Sequence, residues 1–217
     1  AVTGVQTCAL PIYNLMLFHS LWADEPDLYK IVSDASVQEK YKAKWRSALL
    51  GYPEILSIYF GSVNGQIFIT PHSILPEGYE LRKRPWYTGA INSNGDLHWT
   101  QPYQDASTDN IIFSLSKHVK DPQGNVQGVL SLDVSLFEMS NLLKLSKQSP
   151  NGYNLLVTKD GNTIAGTYFD VVHMDFMDLP WSKEILSSEE GSFYDEFDGE
   201  KIIVSYVTNT ITQWKLI

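Results

Sequence analysis

The sequence contains one pattern of strands and turns twice, and this repeat is the feature that most restricts its fold. In the first half, Ile55–Phe60 and Gln66–Thr70 flank Asn64-Gly65, a dipeptide typical of hairpin turns. In the second half, Tyr153–Thr158 and Asn162–Gly166 flank an Asp-Gly turn in the same way. Each hairpin is followed by a helix or loop and then by a longer meander. The repeat predicts two α+β modules, each with an antiparallel sheet.

Longer strand-like segments follow both hairpins. Ile111–Val119 alternates in polarity, a turn follows at Asp121-Pro-Gln-Gly124, and Val126–Val134 completes a predicted antiparallel hairpin. Apolar residues then recur at helical spacing over Leu136–Ser146. In the second half, the predicted elements are a short helix from Pro180 to Leu186 and three strands, Gly191–Phe197, Lys201–Thr208 and Gln213–Ile217.

The segment before the first hairpin has the pattern of a helix. Pro26 is compatible with a first helical turn, and Ser36-Val-Gln-Glu39 fits the capping box of a second helical start. Apolar residues then recur at helical spacing until Gly51 ends the pattern. We therefore predict helix over about residues 26–50, within a long N-terminal helical region.

The charge of the chain argues against two classes of partner. There are 16 Lys and Arg residues against 25 Asp and Glu residues, which gives a formal net charge of −9. A protein that binds a nucleic acid duplex needs a basic surface to release counterions, and this sequence has no run of Lys or Arg. The same charge argues against attraction to anionic lipid. No segment reaches the roughly 18 uninterrupted apolar residues of a membrane-spanning helix.

Both ends of the sequence indicate a fragment of a longer protein. Val2–Ile12 resembles a translated sequencing-library adapter, which predicts that the single cysteine, Cys8, is not native. At the other end, the apolar run from Trp214 stops at Ile217 without a turn signal.

One cysteine cannot form a disulfide framework, and the five histidines lack metal-ligand spacing. We therefore expect no metal and no cofactor.

Three motifs in the first half carry a family resemblance. They are Gly78-Tyr-Glu-Leu-Arg-Lys-Arg-Pro-Trp-Tyr87, Thr100-Gln-Pro-Tyr-Gln-Asp-Ala106 and Gly124-Asn-Val-Gln-Gly-Val-Leu-Ser-Leu-Asp133. Together they resemble the double Cache domain, the extracellular sensor of many bacterial chemoreceptors, sensor histidine kinases and cyclases. The resemblance covers about residues 28–217. It implies an α+β fold in which a long N-terminal helix precedes two PAS-like modules with antiparallel sheets.

One subgroup of this family binds amino acids through a scattered motif, and this sequence has a matching residue at each of its positions. The six are Tyr79, Arg84, Trp86, Tyr103, Asp105 and Asp133. The resemblance implies that the first three hold the ligand carboxylate and the last three hold its ammonium group. This division agrees with elementary chemistry, because an arginine fork donates two parallel hydrogen bonds to a carboxylate, whereas an ammonium group needs acceptors. Asp133 also interrupts an apolar strand, and a buried carboxylate needs partners.

The residues alone leave other functions open. Within the same fold, the ligand could be an amine or a small carboxylate such as pyruvate. Asp105 and Asp133 could instead form the acid/base pair of a secreted hydrolase. The chain could also be a dimerisation or adhesion module with a degenerate pocket.

The predicted organisation follows from the resemblance. Residues 1–12 are expected to be non-native, 13–50 helical, 51–146 a membrane-distal ligand-binding module and 147–217 a truncated membrane-proximal module. The chain is expected to be a non-enzymatic sensor that lies outside the cell or in the periplasm. Flanking helices would anchor the full-length receptor in the membrane, and it would act as a homodimer. Its partner would be a small molecule, preferably an amino acid, and not nucleic acid.

Overall fold

The structure is a computed structural model that describes residues 10–108, 110–145, 152–167, 175–197, 199–210 and 212–217. The chain forms two compact units, one containing Tyr13–Glu138 and the other containing Met139–Ile217. Each unit has an antiparallel sheet, which confirms the predicted α+β fold with two sheet-containing modules. The predictions for Val2–Ala9 with Cys8, for Ser146 and for Asp198 lie outside the described residues.

The first unit is built on an antiparallel sheet. Its strands are β1 (Ile55–Ser62), β2 (Ile67–Thr70), β3 (His98–Trp99), β4 (Tyr103–Gln104), β5 (Ile111–Lys120) and β6 (Val126–Ser135). The strand order is β2-β1-β6-β5-β3, and β4 also pairs with β5. The two predicted hairpins, β1–β2 and β5–β6, are therefore confirmed, and β6 lies between β1 and β5.

The N-terminal region contains helix α1 (Leu10–Ala23), a 3₁₀ helix (Leu28–Val32) and helix α2 (Ala35–Leu49). The helix predicted over about residues 26–50, with a second start at Ser36, is interrupted at residues 33–34, and its first part is the 3₁₀ helix. Asp34 caps α2 by accepting hydrogen bonds from the backbone N–H groups of Ser36 and Val37. The helix therefore begins after Asp34 and does not use Ser36 as its cap.

The two faces of the first sheet pack against different helices. On one face, α2 contacts β1 and β2 and buries Tyr41 and Trp45. On the other face, helix α3 (Pro85–Asn92) contacts β5 and β6. Trp86 and Tyr87 of α3 join a buried cluster with Tyr59 of β1. The residue pattern predicts no helix in this segment, yet α3 covers part of this face of the sheet.

The second unit has its own sheet and core. Its strands are β7 (Leu155–Val157), β8 (Thr163–Gly166), β9 (Glu190–Phe197), β10 (Glu200–Thr208) and β11 (Lys215–Leu216), in the order β8-β7-β11-β10-β9. Helix α4 (Leu136–Leu145) precedes β7, and helix α5 (Ser182–Ser187) precedes β9. Phe176, Ile185 and Val204 belong to its buried cluster. The strands predicted here are confirmed with shifts of one or two residues at most ends. Within the described ranges, no helix is long and apolar enough to span a bilayer.

Candidate ligand-binding site

A row of three polar side chains crosses the face of the first sheet that α3 covers. The register places Asp133 of β6 opposite Ser57 of β1 on one side and opposite Ser114 of β5 on the other. Side chains in directly opposed positions are close enough to bond. The Ser114 hydroxyl donates to the Asp133 carboxylate at 2.6 Å, and the Ser57 hydroxyl donates to it at 3.1 Å. The strand register therefore builds the site around Asp133.

Asp133 is held as a buried but partly unsatisfied acceptor. It is 7% exposed, and the Tyr59 hydroxyl donates to it at 2.6 Å. Burial raises the pKa of Asp133 from 3.8 to about 6, although the three hydroxyl donors oppose this shift. A carboxylate offers about four lone-pair sites. The hydroxyl donors from the described residues occupy three of these, so one acceptor site remains for a ligand.

Tyr103 is linked to Asp133 through Ser114. The Tyr103 hydroxyl lies within hydrogen-bond distance of the Ser114 hydroxyl. Because Ser114 gives its single hydrogen to Asp133, Tyr103 must donate to Ser114 while Asp133 is ionised. Burial, followed by the charge of Asp133, raises the pKa of Tyr103 above its ordinary value, so its hydroxyl stays protonated. The lone pairs of the Tyr103 oxygen are then left to accept from a ligand.

The backbone around Arg84 follows from the proline that comes next. Arg84 is extended (φ −79°, ψ 148°) between a 3₁₀ helix, Leu81–Lys83, and Pro85 at the start of α3. Proline disfavours helical backbone in the preceding residue and fits the first turn of a helix. The neighbouring Arg82 and Lys83 are exposed.

The Arg84 guanidinium lies between two tyrosine rings. Its Cζ is 5.5 Å from the ring centre of Tyr79 and 5.7 Å from that of Tyr103. Its Nε is buried without a hydrogen-bond partner in the described part of the chain. Arg84 also takes part in none of the ion pairs found between described residues. A buried donor without a partner is costly, so this guanidinium is well suited to an incoming anion.

Trp86 has a supporting contact that the sequence did not reveal. Its side chain is 1% exposed and packs over Gly61, where an added Cβ would lie 2.5 Å from the indole ring. Its ring also meets Tyr59 edge to face at 4.8 Å between centroids. The indole N–H donates to the Tyr79 hydroxyl at 3.3 Å. Since that bond uses a Tyr79 lone pair, the Tyr79 hydrogen is left for another acceptor.

Asp105 lies in the loop after β4, and its neighbours fix its carboxylate. The hydroxyls of Ser107 and Thr108 both donate to Oδ2, at 2.9 and 2.7 Å. The backbone N–H of Asp105 donates to the carbonyl of Asn110 at 2.9 Å, which closes the loop. Hydrogen bonds from described residues reach only Oδ2, so Oδ1 is available to a ligand.

One cavity brings all these groups together. Its volume is about 260 Å³, just below the range of about 300–1,000 Å³ for drug-sized ligands. The six residues predicted from the sequence all line it, namely Tyr79, Arg84, Trp86, Tyr103, Asp105 and Asp133. A guanidinium and two carboxylates therefore share one small hollow. Among the described residues, no group of three or more His, Cys, Asp or Glu side chains could hold a metal ion.

The family model for the Cache domain, in its double form, matches residues 14–217. This chain belongs to the Cache domain family. Among curated relatives, it is similar to the methyl-accepting chemotaxis protein McpB of Bacillus subtilis, with 28% identity over 181 residues, or 83% of this chain. The match covers 26% of McpB, so the Cache domain chain spans about a quarter of that relative's length.

Solved structures support the same fold. The ligand-binding domain of the Pseudomonas fluorescens chemoreceptor CtaA, in complex with L-serine, aligns with a TM-score of 0.75 at 24% identity. That alignment covers 99% of this Cache domain and 90% of the CtaA chain. The ligand-binding domain of Mlp24 with asparagine aligns with a TM-score of 0.69 at 26% identity, covering 98% and 86% of the two chains.

Sequence reasoning missed the three hydroxyl groups that hold Asp133 in this Cache domain. Ser57, Tyr59 and Ser114 come from two strands that are far apart in sequence. The alternation of Ser57 and Tyr59 indicates that both side chains share a face of β1. Their position opposite Asp133 depends on the register between β1 and β6, which the residue pattern alone does not fix.

Proposed function

We propose that this Cache domain is the ligand-sensing part of a bacterial transmembrane chemoreceptor and that its cavity binds a free amino acid. The observation that carries the proposal is the buried Nε of Arg84, which has no hydrogen-bond partner among the described residues and lies in the same small cavity as the carboxylates of Asp105 and Asp133. An amino acid is a zwitterion, and this cavity offers a partner to each of its charges. The chemoreceptor relatives and the amino-acid complexes of CtaA and Mlp24 support this proposal.

In this proposal, the ligand carboxylate binds at the Arg84 end. Arg84 donates two parallel hydrogen bonds from its fork, and each charge-assisted bond is worth about 1.5–3 kcal/mol. The Tyr79 hydroxyl accepts a hydrogen bond from Trp86 and keeps its own hydrogen, so it can add a third donor to the carboxylate. Trp86 therefore acts by orienting Tyr79 as well as by lining the cavity.

The ligand ammonium group binds at the Asp133 end. An ammonium group has three hydrogens to donate. The acceptors available to it are the remaining lone pair of Asp133, Oδ1 of Asp105 and the oxygen of Tyr103. These acceptors come from β6, β4 and the loop that follows β4. The ligand ammonium group would therefore contact three segments of the chain.

The cellular setting is part of the same proposal. The full-length receptor would be anchored by helices that flank this domain, which would lie outside the cell or in the periplasm, and would act as a homodimer. Residues 51–146 would form the membrane-distal module and residues 147–217 the membrane-proximal one. This domain would be non-enzymatic, since the cavity groups serve binding. A ligand can shift the equilibrium between two conformations of such a receptor only by the difference in its affinity for them.

Isothermal titration calorimetry of the 217-residue chain against the twenty amino acids tests the proposal. We expect micromolar affinity for at least one amino acid, given a few charge-assisted bonds offset by the entropy of binding. The matched controls are the corresponding decarboxylated amine and deaminated acid of the best ligand. Both should bind at least about 100-fold more weakly, because each leaves one charged pole of the cavity without a partner. Equal affinity for either control would overturn the zwitterion assignment.

A further inference from the structure

One side of the cavity is an apolar wall that the two charged poles do not use. It is formed by Leu56, Ile67, Ile69, Pro71 and Leu75, from the β1–β2 hairpin and the segment after it. The β1–β2 register places Ile67 beside Gly61 and Ile69 beside Tyr59, on the face that carries Asp133. None of the five wall residues is fully buried. A ligand in the cavity can therefore bury apolar surface against them.

The charges of the cavity are already assigned to the poles of the ligand. Within the described chain, the guanidinium and carboxylate groups that line it are those of Arg84, Asp105 and Asp133. An anionic side chain would find no second guanidinium or ammonium group among the described lining residues and would lie near two carboxylates, which repel it. A cationic side chain would compete with the ligand's own ammonium group for Asp105 and would bring its charge against the apolar wall.

From this wall and these charges, we infer that the receptor selects amino acids with an uncharged aliphatic side chain. This inference rests on the proposed function, because it assumes that the two charged poles hold the amino and carboxyl groups. The cavity volume of about 260 Å³ is sufficient for an aliphatic amino acid such as valine, leucine or isoleucine. The specificity-determining residues are then Ile67, Ile69 and Leu75.

Calorimetric titration with leucine, asparagine and aspartate tests the inference, because these three side chains have nearly the same shape and differ in polarity and charge. We expect leucine to bind about tenfold more tightly than asparagine, since an amide without a hydrogen-bond partner in an apolar site loses affinity. Aspartate should bind at least about 100-fold more weakly than leucine. Lysine should bind more weakly than norleucine, which has the same straight carbon chain.

The outcomes separate this inference from the proposed function. Binding of aspartate or asparagine as tightly as leucine would overturn the aliphatic preference and leave the amino-acid site standing. It would indicate that polar lining residues such as His72 and Ser73 receive the side chain. If no amino acid binds at millimolar concentration, both the inference and the proposed function are wrong.

Two matched substitutions test the wall itself. Ile69→Thr keeps a β-branched residue in β2 but puts a hydroxyl on the wall, so leucine should lose about fivefold or more in affinity while serine loses little. Ile74→Thr is the control, because Ile74 lies in the same region, is 84% exposed and does not line the cavity. Leu75→Thr gives an independent test outside the sheet should Ile69→Thr fail to fold. Unchanged discrimination between leucine and serine in a folded wall variant would contradict the assignment.

Discussion

The Tyr59 hydroxyl lies 2.6 Å from the carboxylate of Asp133 and donates a hydrogen bond to it. Tyr59 also meets Trp86 edge to face, so one side chain contacts residues assigned to both poles of the site. In the proposed site, a buried aromatic ring therefore connects the end that would hold the ligand carboxylate to the end that would hold its ammonium group.

Replacing Arg84 by alanine should abolish most of the affinity for the amino acid. The substitution removes two charge-assisted hydrogen bonds, and a loss of about 3 kcal/mol corresponds to roughly 100-fold or more in Kd. The melting temperature should change little, because Arg84 forms no ion pair with the described residues. Arg82→Ala is the control, since Arg82 is exposed and pairs with Glu80. Calorimetry that finds equal losses in both variants would contradict the role of Arg84.

The affinity for the ligand should fall in acid. Asp133 has a pKa raised to about 6 by its burial, and its ionised form is the better partner for an ammonium group. Affinity should therefore be nearly constant above pH 7 and decrease by up to tenfold for each pH unit below about 6. Asp133→Asn should bind more weakly at pH 7 and lose most of this pH dependence. Titrations from pH 4.5 to 8 that show the same profile in both proteins would rule out Asp133 as the titrating group.

The parts of the site that could be predicted from sequence are those that lie within short motifs. Arg84 and Trp86 lie two residues apart, and Tyr103 and Asp105 share another motif, so the family resemblance assigns them directly. The cluster around Asp133 depends on strand register, because Tyr59 reaches it from 74 positions away in the chain. Hairpin turns are encoded by a few local residues, whereas pairing between distant strands depends on how whole faces pack.

The helix boundaries were predicted less accurately for a related reason. The segment around Pro26 has residues that fit a helix, but Asp34 offers a stronger local cap that starts α2 later. The short helix α3 has only eight residues, and its Trp86 packs on Gly61 of a strand that is distant in sequence. Such a segment is too short for helical periodicity to be recognised in the sequence alone.

Gly61→Ala should destabilise the first unit and weaken ligand binding together. The added Cβ would lie 2.5 Å from the Trp86 ring, so the indole must move. Overpacking of this kind costs about 1–3 kcal/mol, and a displaced Trp86 no longer orients Tyr79. Gly51→Ala is the control, because its Cβ would meet only a carbonyl at 3.6 Å. Chemical denaturation and calorimetry should show both losses for Gly61→Ala, and a fully stable variant with normal affinity would contradict this packing.

Two buried groups should change the stability of the first unit in opposite directions between pH 4 and 6. His19 is fully buried, and its Nε2–H donates to the carbonyl of Leu130 at 3.1 Å while Nδ1 has no partner in the described chain. Burial lowers the pKa of His19 from 6.5 to about 4. Its unfolded form therefore binds more protons in this range, and its contribution to stability is lost as the pH falls from 6.5 to 4. Asp133, with its pKa raised from 3.8 to about 6, contributes stability that is lost as the pH rises through the same range.

Each shift corresponds to about 3 kcal/mol, so the two contributions nearly cancel in the natural chain. Asp133→Asn removes the contribution of Asp133, so that His19 dominates the pH dependence. The free energy of unfolding of this variant should then rise between pH 4 and 6.5. His19→Gln keeps a donor for the carbonyl of Leu130 but removes the titrating imidazole. The contribution of Asp133 then dominates, so the free energy of unfolding should fall as the pH rises from 4 to 6. Urea denaturation at several pH values gives the free energy of unfolding of each variant relative to the natural chain. Its slope against pH can then be compared between the two variants. Slopes of the same sign in the two variants would show that at least one of these groups titrates normally in the folded protein.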